Sequence, residues 1–112
     1  MNIKMKHTPF GANYRTIYKY RLEEGGQTII AAYWDELLDI QVQEDNIVLW
    51  ASVAPYETDV FGNIQKRKDE PTTLVFTAIG TGWEYKNNKI GEYFRTVQTP
   101  DGLVWHIFVK EQ

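Results

Sequence analysis

The stretch LLDIQVQEDNIVLWASVA, residues 37–54, decides the fold. Leu38, Ile40 and Val42 alternate with Asp39, Gln41 and Gln43, the two-residue period of a strand with one face turned inward. Glu44-Asp45-Asn46 suits a hairpin turn, because Asp and Asn tolerate positive φ. Ile47 to Ala54 returns with Ile47, Leu49, Ala51 and Val53 on one face and Val48, Trp50 and Ser52 on the other. Both faces are largely apolar, which places this strand in the middle of a sheet. Pro55 ends it, since proline has no amide for a ladder.

Upstream, Tyr14 to Leu22 alternates as a strand, with Tyr14, Thr16, Tyr18, Tyr20 and Leu22 opposite Arg15, Ile17, Lys19 and Arg21. Glu23-Glu24-Gly25-Gly26 is a turn and Gln27 to Ala31 a short strand. Ala32 to Glu36 is ambiguous and has room for one helical turn. Residues 1–13 have no clear period and contain Pro9 and Gly11; they read as an arm ahead of a single β domain over 14–112. Downstream, 56–71 is the longest loop, with Gly62-Asn63 at a hairpin tip, a length that marks a mobile or functional segment. Thr72 to Ile79, Glu92 to Thr99 and Leu103 to Val109 are strands, separated by Gly80-Thr81-Gly82, Asn87-Asn88 and Pro100-Asp101-Gly102. About seven strands and no long helix follow: an all-β, mainly antiparallel domain, a sandwich or a half-open barrel.

A chain of 112 residues is one domain's worth. Its 12 Lys and Arg against 15 Asp and Glu give a net charge of -3, which argues against specific DNA or RNA binding. The absence of Cys excludes disulfides, zinc-thiolate sites and thiol nucleophiles. No apolar run of membrane-spanning length and no signal-type start occur, so the default expectation is a cytoplasmic protein with no membrane partner. Charge is segregated: residues 1–22 carry five bases and no acid, and residues 23–59 nine acids and no base. Such a layout steers a charged ligand, pairs strands within the fold or matches subunits.

Little catalytic equipment is visible. His7 and His106 are the only histidines, with no metal-ligand spacing, and Ser52, the only serine, lies mid-strand. The carboxylates fall in turns or on polar faces. No enzyme activity, metal or cofactor is expected. Binding features are more evident. Gly80-Thr81-Gly82 offers exposed amides and a hydroxyl, or simply ends a strand. His106, between Val104 and Phe108 on one face, and Trp50, between Val48 and Ser52, are either core or pocket residues. Lys19 stands between Tyr18 and Tyr20 and shares a row with Arg15 and Arg21, which suits an anion or guards an exposed edge.

Taken in order, Tyr18-Lys19-Tyr20, Ile40-Gln41-Val42-Gln43, Leu49-Trp50-Ala51-Ser52-Val53, Gly80-Thr81-Gly82, Gly91 to Thr96 and Val104-Trp105-His106-Ile107-Phe108 resemble a family of small tailed-phage and prophage proteins of unknown function. The likeness covers about residues 14–110; the arm, Ile30 to Trp34 and the 56–71 loop depart from it. The resemblance implies a phage counter-defence protein of the nucleotide-sponge kind (anti-CBASS or anti-Thoeris), acting in the host cytoplasm. Such a protein holds a cyclic di- or trinucleotide immune signal between subunits of a homo-oligomer without cleaving it. It further implies ligand-binding roles for Tyr18, Trp50 or Trp105 in stacking, Lys19 and Arg95 on phosphates, and Thr81 and His106 in hydrogen bonding. Two other readings stand beside it. One is a protein–protein inhibitor of a host defence or nucleic-acid enzyme, acting through the acidic 23–59 surface. The other is a structural or virion accessory part.

Overall fold

The structure, a computed structural model, describes residues 14–112. The arm read at 1–13, with His7, lies outside the described residues. These fold into nine strands and no helix: β1 (Thr16–Leu22), β2 (Gln27–Ala32), β3 (Trp34–Gln43), β4 (Asn46–Val53), β5 (Tyr56–Thr58), β6 (Ile64–Lys66), β7 (Thr72–Gly80), β8 (Glu92–Gln98) and β9 (Val104–Glu111). The strands form a sheet of order β1-β4-β3, a sheet of order β2-β7-β9-β8 and a small β5-β6 ladder, all antiparallel. The two larger sheets enclose one core and neither closes into a barrel, so the sandwich alternative holds.

The 37–54 hairpin forms where its sequence demands, turning at Glu44 with φ 54°. β4 is central, with Ile47, Leu49, Ala51 and Val53 buried on its inner face. Leu74, Phe76 and Ala78 of β7 and Trp105, Ile107 and Val109 of β9 face them from the other sheet. Val48, on the outer face, is nonetheless buried, because β1 and β3 flank it with long side chains. Arg15 pairs with Asp35 at 3.0 Å across the three-stranded sheet, so the basic and acidic segments do interlock there.

Three readings are corrected. Ala32 to Glu36 contains no helical turn. Trp34 opens β3, is buried against Phe76 and donates its indole N–H to Thr72 O at 2.8 Å. Two register shifts in β3 add a residue each: the one between Leu37 and Asp39 puts Leu37 rather than Leu38 in the buried position, and the one between Trp34 and Glu36 turns Trp34 inward. The 56–71 segment holds two further short strands. Its tip is tied by the Asp59 carboxylate, which accepts from the Phe61 and Asn63 amides at 2.9 and 2.8 Å. Its base is clamped by Arg67, buried over the Tyr33 ring, bonded to Ala54 O at 3.1 Å and paired with Asp69 at 2.7 Å.

Tyr33 is the only residue between β2 and β3, so the chain crosses from one sheet to the other at this point. At the other edge of the four-stranded sheet, Arg95 of β8 reaches Asp39 of β3 at 3.0 Å and also joins the two sheets.

Candidate functional site

The outer face of the four-stranded sheet carries the densest group of chemically useful side chains. Alternation along β9 buries Trp105, Ile107 and Val109 and turns His106 and Phe108 outward. β7 supplies Ile79 beside His106, and β8 supplies Tyr93 beside Phe108 and Thr96 beside His106. The turn after β7 brings Thr81 over the same strand, where its amide is bonded to Val104 O. The result is a cleft of about 290 Å³. Its walls are the rings of Trp83, Tyr85, Tyr93 and Phe108, its floor Ile79 and His106, and its lip the backbone of 80–82.

The rings support one another. Phe108 lies 5.3 Å from Tyr85 and 5.8 Å from Tyr93, tilted or edge-on. Trp83 meets Trp105 edge-on at 5.3 Å, and it lies so close on Gly80 that a Cβ there would stand 2.8 Å from the indole. A glycine is therefore required at position 80 for the indole to seat. Trp83, Tyr85 and Tyr93 remain about half exposed, so their faces are open to a ligand.

Below the rings runs one hydrogen-bonded chain. Tyr93 Oη lies 2.7 Å from Thr96 Oγ1, which lies 3.0 Å from His106 Nδ1; His106 Nε2 lies 2.8 Å from Thr81 Oγ1. A neutral imidazole and three hydroxyls carry four protons, and three links use three of them. One O–H is always left over. With Nε2 protonated it is at Thr81; with Nδ1 protonated it lies at the Tyr93–Thr96 end. A ligand that accepts at one end thus sets the tautomer of His106. Hydroxyls on both ring nitrogens of an imidazole can bind and orient a ligand, and they also set a hydroxyl beside a base, Thr81 or Thr96 beside His106. Among the described residues no three His, Cys, Asp or Glu side chains come together as for a metal ion.

The seven residues singled out in the sequence fall in five places. Thr81 and His106 meet in the cleft. Trp105 lies beneath it, 5% exposed, with its indole N–H buried and unpartnered. Lys19 and Trp50 meet on the outer face of the other sheet, the ammonium 5.8 Å from the ring centroid and 3.3 Å from Gln43 Oε1. Tyr18 is on the opposite face of β1, edge-on to Tyr20. Arg95 is engaged with Asp39 and stacks over Phe94. Beside Lys19 is a larger basin of about 620 Å³, lined by Lys19, Arg21, Gln43, Glu44, Asn46 and Val48. It holds both signs of charge and presents no ring among those residues, so the smaller cleft is the better-built site.

Sequence reasoning missed Trp83, Tyr85, Tyr93 and Thr96. Phe108 was legible, because it sits two residues from His106 on the same strand face. Tyr93 and Thr96 were not, because a register shift between Tyr93 and Arg95 lets residues three apart share that face.

Residues 13–112 match the family model described as Domain of unknown function (DUF7352). No curated protein and no solved structure matches the chain. No helix among the described residues is long and apolar enough to cross a membrane.

Proposed function

The chain belongs to this family of unknown function, and from that premise we propose that it captures a flat, ring-bearing small molecule in the His106 cleft and holds it unchanged. The observation that carries the reading is the coincidence of open aromatic faces with a hydrogen-bonded chain that has one O–H to give. A planar heteroaromatic ring with an acceptor on its edge satisfies both at once: it stacks on Tyr85, Tyr93 or Trp83 and accepts from Thr81 or Tyr93. A nucleobase has this chemistry. The ligand class is therefore a nucleotide, and a cyclic di- or trinucleotide immune signal taken up in the host cytoplasm is the specific candidate. The cleft lining supplies no cation, so the phosphates stay at its rim; Lys86, next in the chain to Tyr85, is the base nearest in sequence.

A second reading rests on Lys19, Arg21 and Trp50. This cation and ring pairing on the other sheet would take the phosphates and make the basin the site. The acidic-surface inhibitor has less support, because Asp35 and Asp39 already carry Arg15 and Arg95.

Calorimetric titration with a cyclic-nucleotide panel separates the readings. Capture in the cleft gives a complex that His106→Ala weakens roughly tenfold or more, about 1.4 kcal/mol or above, and that Lys19→Ala leaves alone. The reverse pattern moves the site to the basin. No binding by any member, together with retention of one host protein, transfers the function to an inhibitor.

A further inference from the structure

The edge strands of the two larger sheets are guarded unequally. β1 carries Lys19 and Arg21; β3 carries Asp35, Glu36 and Asp39 and two register shifts; β8 carries Glu92 and Arg95 and one shift. Charges and bulges of this kind keep an edge from pairing with another chain. β2 has neither. It reads Gln-Thr-Ile-Ile-Ala-Ala, without charge, proline or glycine, and runs in unbroken register along β7. Ile29, at its middle, is 57% exposed.

The hydrogen-bond phase of this edge can be worked out. Ala78 donates its amide to Gly26 O at 3.0 Å. Antiparallel bonding alternates, so Thr28, Ile30 and Ala32 direct their amides and carbonyls toward β7. Gln27, Ile29 and Ala31 direct theirs away from the sheet. The bond from the Gln112 amide to Thr73 O keeps the same alternation on the far side of β7.

We propose that β2 pairs antiparallel with β2 of a second copy, about a two-fold axis at Ile29. Residues that face each other across a ladder must share a sheet face, so the axis passes through a residue. At Ile29 the outward groups form three bonded pairs, Ile29 with Ile29 of the second copy and Gln27 with its Ala31, taken both ways. At Ile30 only two such pairs form, Ile29 with Ala31 taken both ways. The Ile29 axis also covers the exposed isoleucine with its own copy, an isologous contact that closes as a dimer. β1 does not suit this role, since self-pairing brings its bases face to face.

The dimer carries one continuous sheet with a His106 cleft on the same outer face of each half. Strand spacing of about 4.8 Å sets the two β9 strands about 24 Å apart, too far for one ring to reach both clefts. Each chain then takes its own ligand. The interface does not depend on what that ligand is, so it stands or falls apart from the capture reading.

Sedimentation equilibrium of the full chain at tens of micromolar tests it. The expected mass is twice 13.1 kDa, falling to 13.1 kDa in Ile29→Lys and in Ala31→Pro. The proline removes an outward amide and leaves the bonds to β7 intact. Amide exchange on the unaltered protein gives a reading that needs no variant. The Gln27, Ile29 and Ala31 amides exchange slowly in the dimer and fast in a monomer. A 13.1 kDa wild-type particle, fast exchange at those amides, or a dimer that survives both substitutions overturns the proposal. So does retention of a different protein's strand on β2 in place of a second copy.

Discussion

Gly91 precedes β8 with φ 88°, and a Cβ built on it would stand 2.2 Å from Val109 O and 2.6 Å from Lys110 Cβ. Both obstacles belong to β9, whose Val109 pairs with Glu92, the next residue. Gly91→Ala thus pays twice. The left-handed backbone costs an alanine about 1–2 kcal/mol. The contact cannot be relieved by rotating a side chain, so the start of β8 must lift from β9. Losing one or two ladder bonds there costs about 1–2 kcal/mol more. The total is about 3 kcal/mol, which for a domain of this size lowers Tm by roughly 12 °C or more. Gly82→Ala is the matched control: φ is 87°, but nothing lies within 4 Å of the added Cβ, so only the backbone cost of about 1–2 kcal/mol applies. Calorimetric melts of the two variants measure the difference. Equal losses would show that the β8–β9 approach yields easily and would refute the argument. Because β8 carries Tyr93 and Thr96, the Gly91 variant should also lose ligand capture where the Gly82 variant keeps its β8 wall.

Three further outcomes follow from the same contacts. Arg67→Ala removes a buried guanidinium held by Ala54 O, Asp69 and the Tyr33 ring, and should cost about 2–3 kcal/mol in denaturant unfolding; Lys66→Ala, on the neighbouring exposed position, should cost under about 0.5 kcal/mol. Thr81→Val keeps the shape of the cleft lip but deletes its hydroxyl, so melting should move little, within about 0.5 kcal/mol, while ligand affinity drops roughly fivefold to tenfold; a larger loss of stability would give Thr81 a structural role instead. Hydrogen bonds from the Thr99 hydroxyl and the Leu103 amide hold the Asp101 carboxyl below its usual range. A depressed folded value means that the stabilisation is fully present above the unfolded value near pH 4 and is lost as pH falls through the lower folded one. The Tm gap between wild type and Asp101→Asn should therefore be constant from pH 7 to 5 and close only below about pH 4; a gap that closes near neutrality contradicts the assignment.

Much of the fold was legible because burial writes itself into the two-residue period. β4 could be placed at the centre from Val48 and Trp50 alone, since an outward apolar pair has to be covered by neighbours on both sides. The breaks in that period were harder to read. The extra residue of β3 between Leu37 and Asp39 shifts Leu37 into the place expected for Leu38, and nothing local to the sequence announces it. The site was half legible. His106 and Thr81 could be named but not joined, because their meeting depends on β7 and β9 being neighbours 25 residues apart in sequence. Lys19 and Arg95 looked alike as anion binders, yet Arg95 spends its charge on Asp39 between the sheet edges.

The most direct test is to load the protein with the tightest cyclic nucleotide of the panel, remove unbound ligand, denature the complex and identify what is released. Capture in the His106 cleft predicts intact nucleotide, one per chain, absent from the Thr81→Val, His106→Ala double variant and retained by Lys19→Ala. Cleaved nucleotide, or equal loading of the double variant, would contradict capture by the His106 cleft.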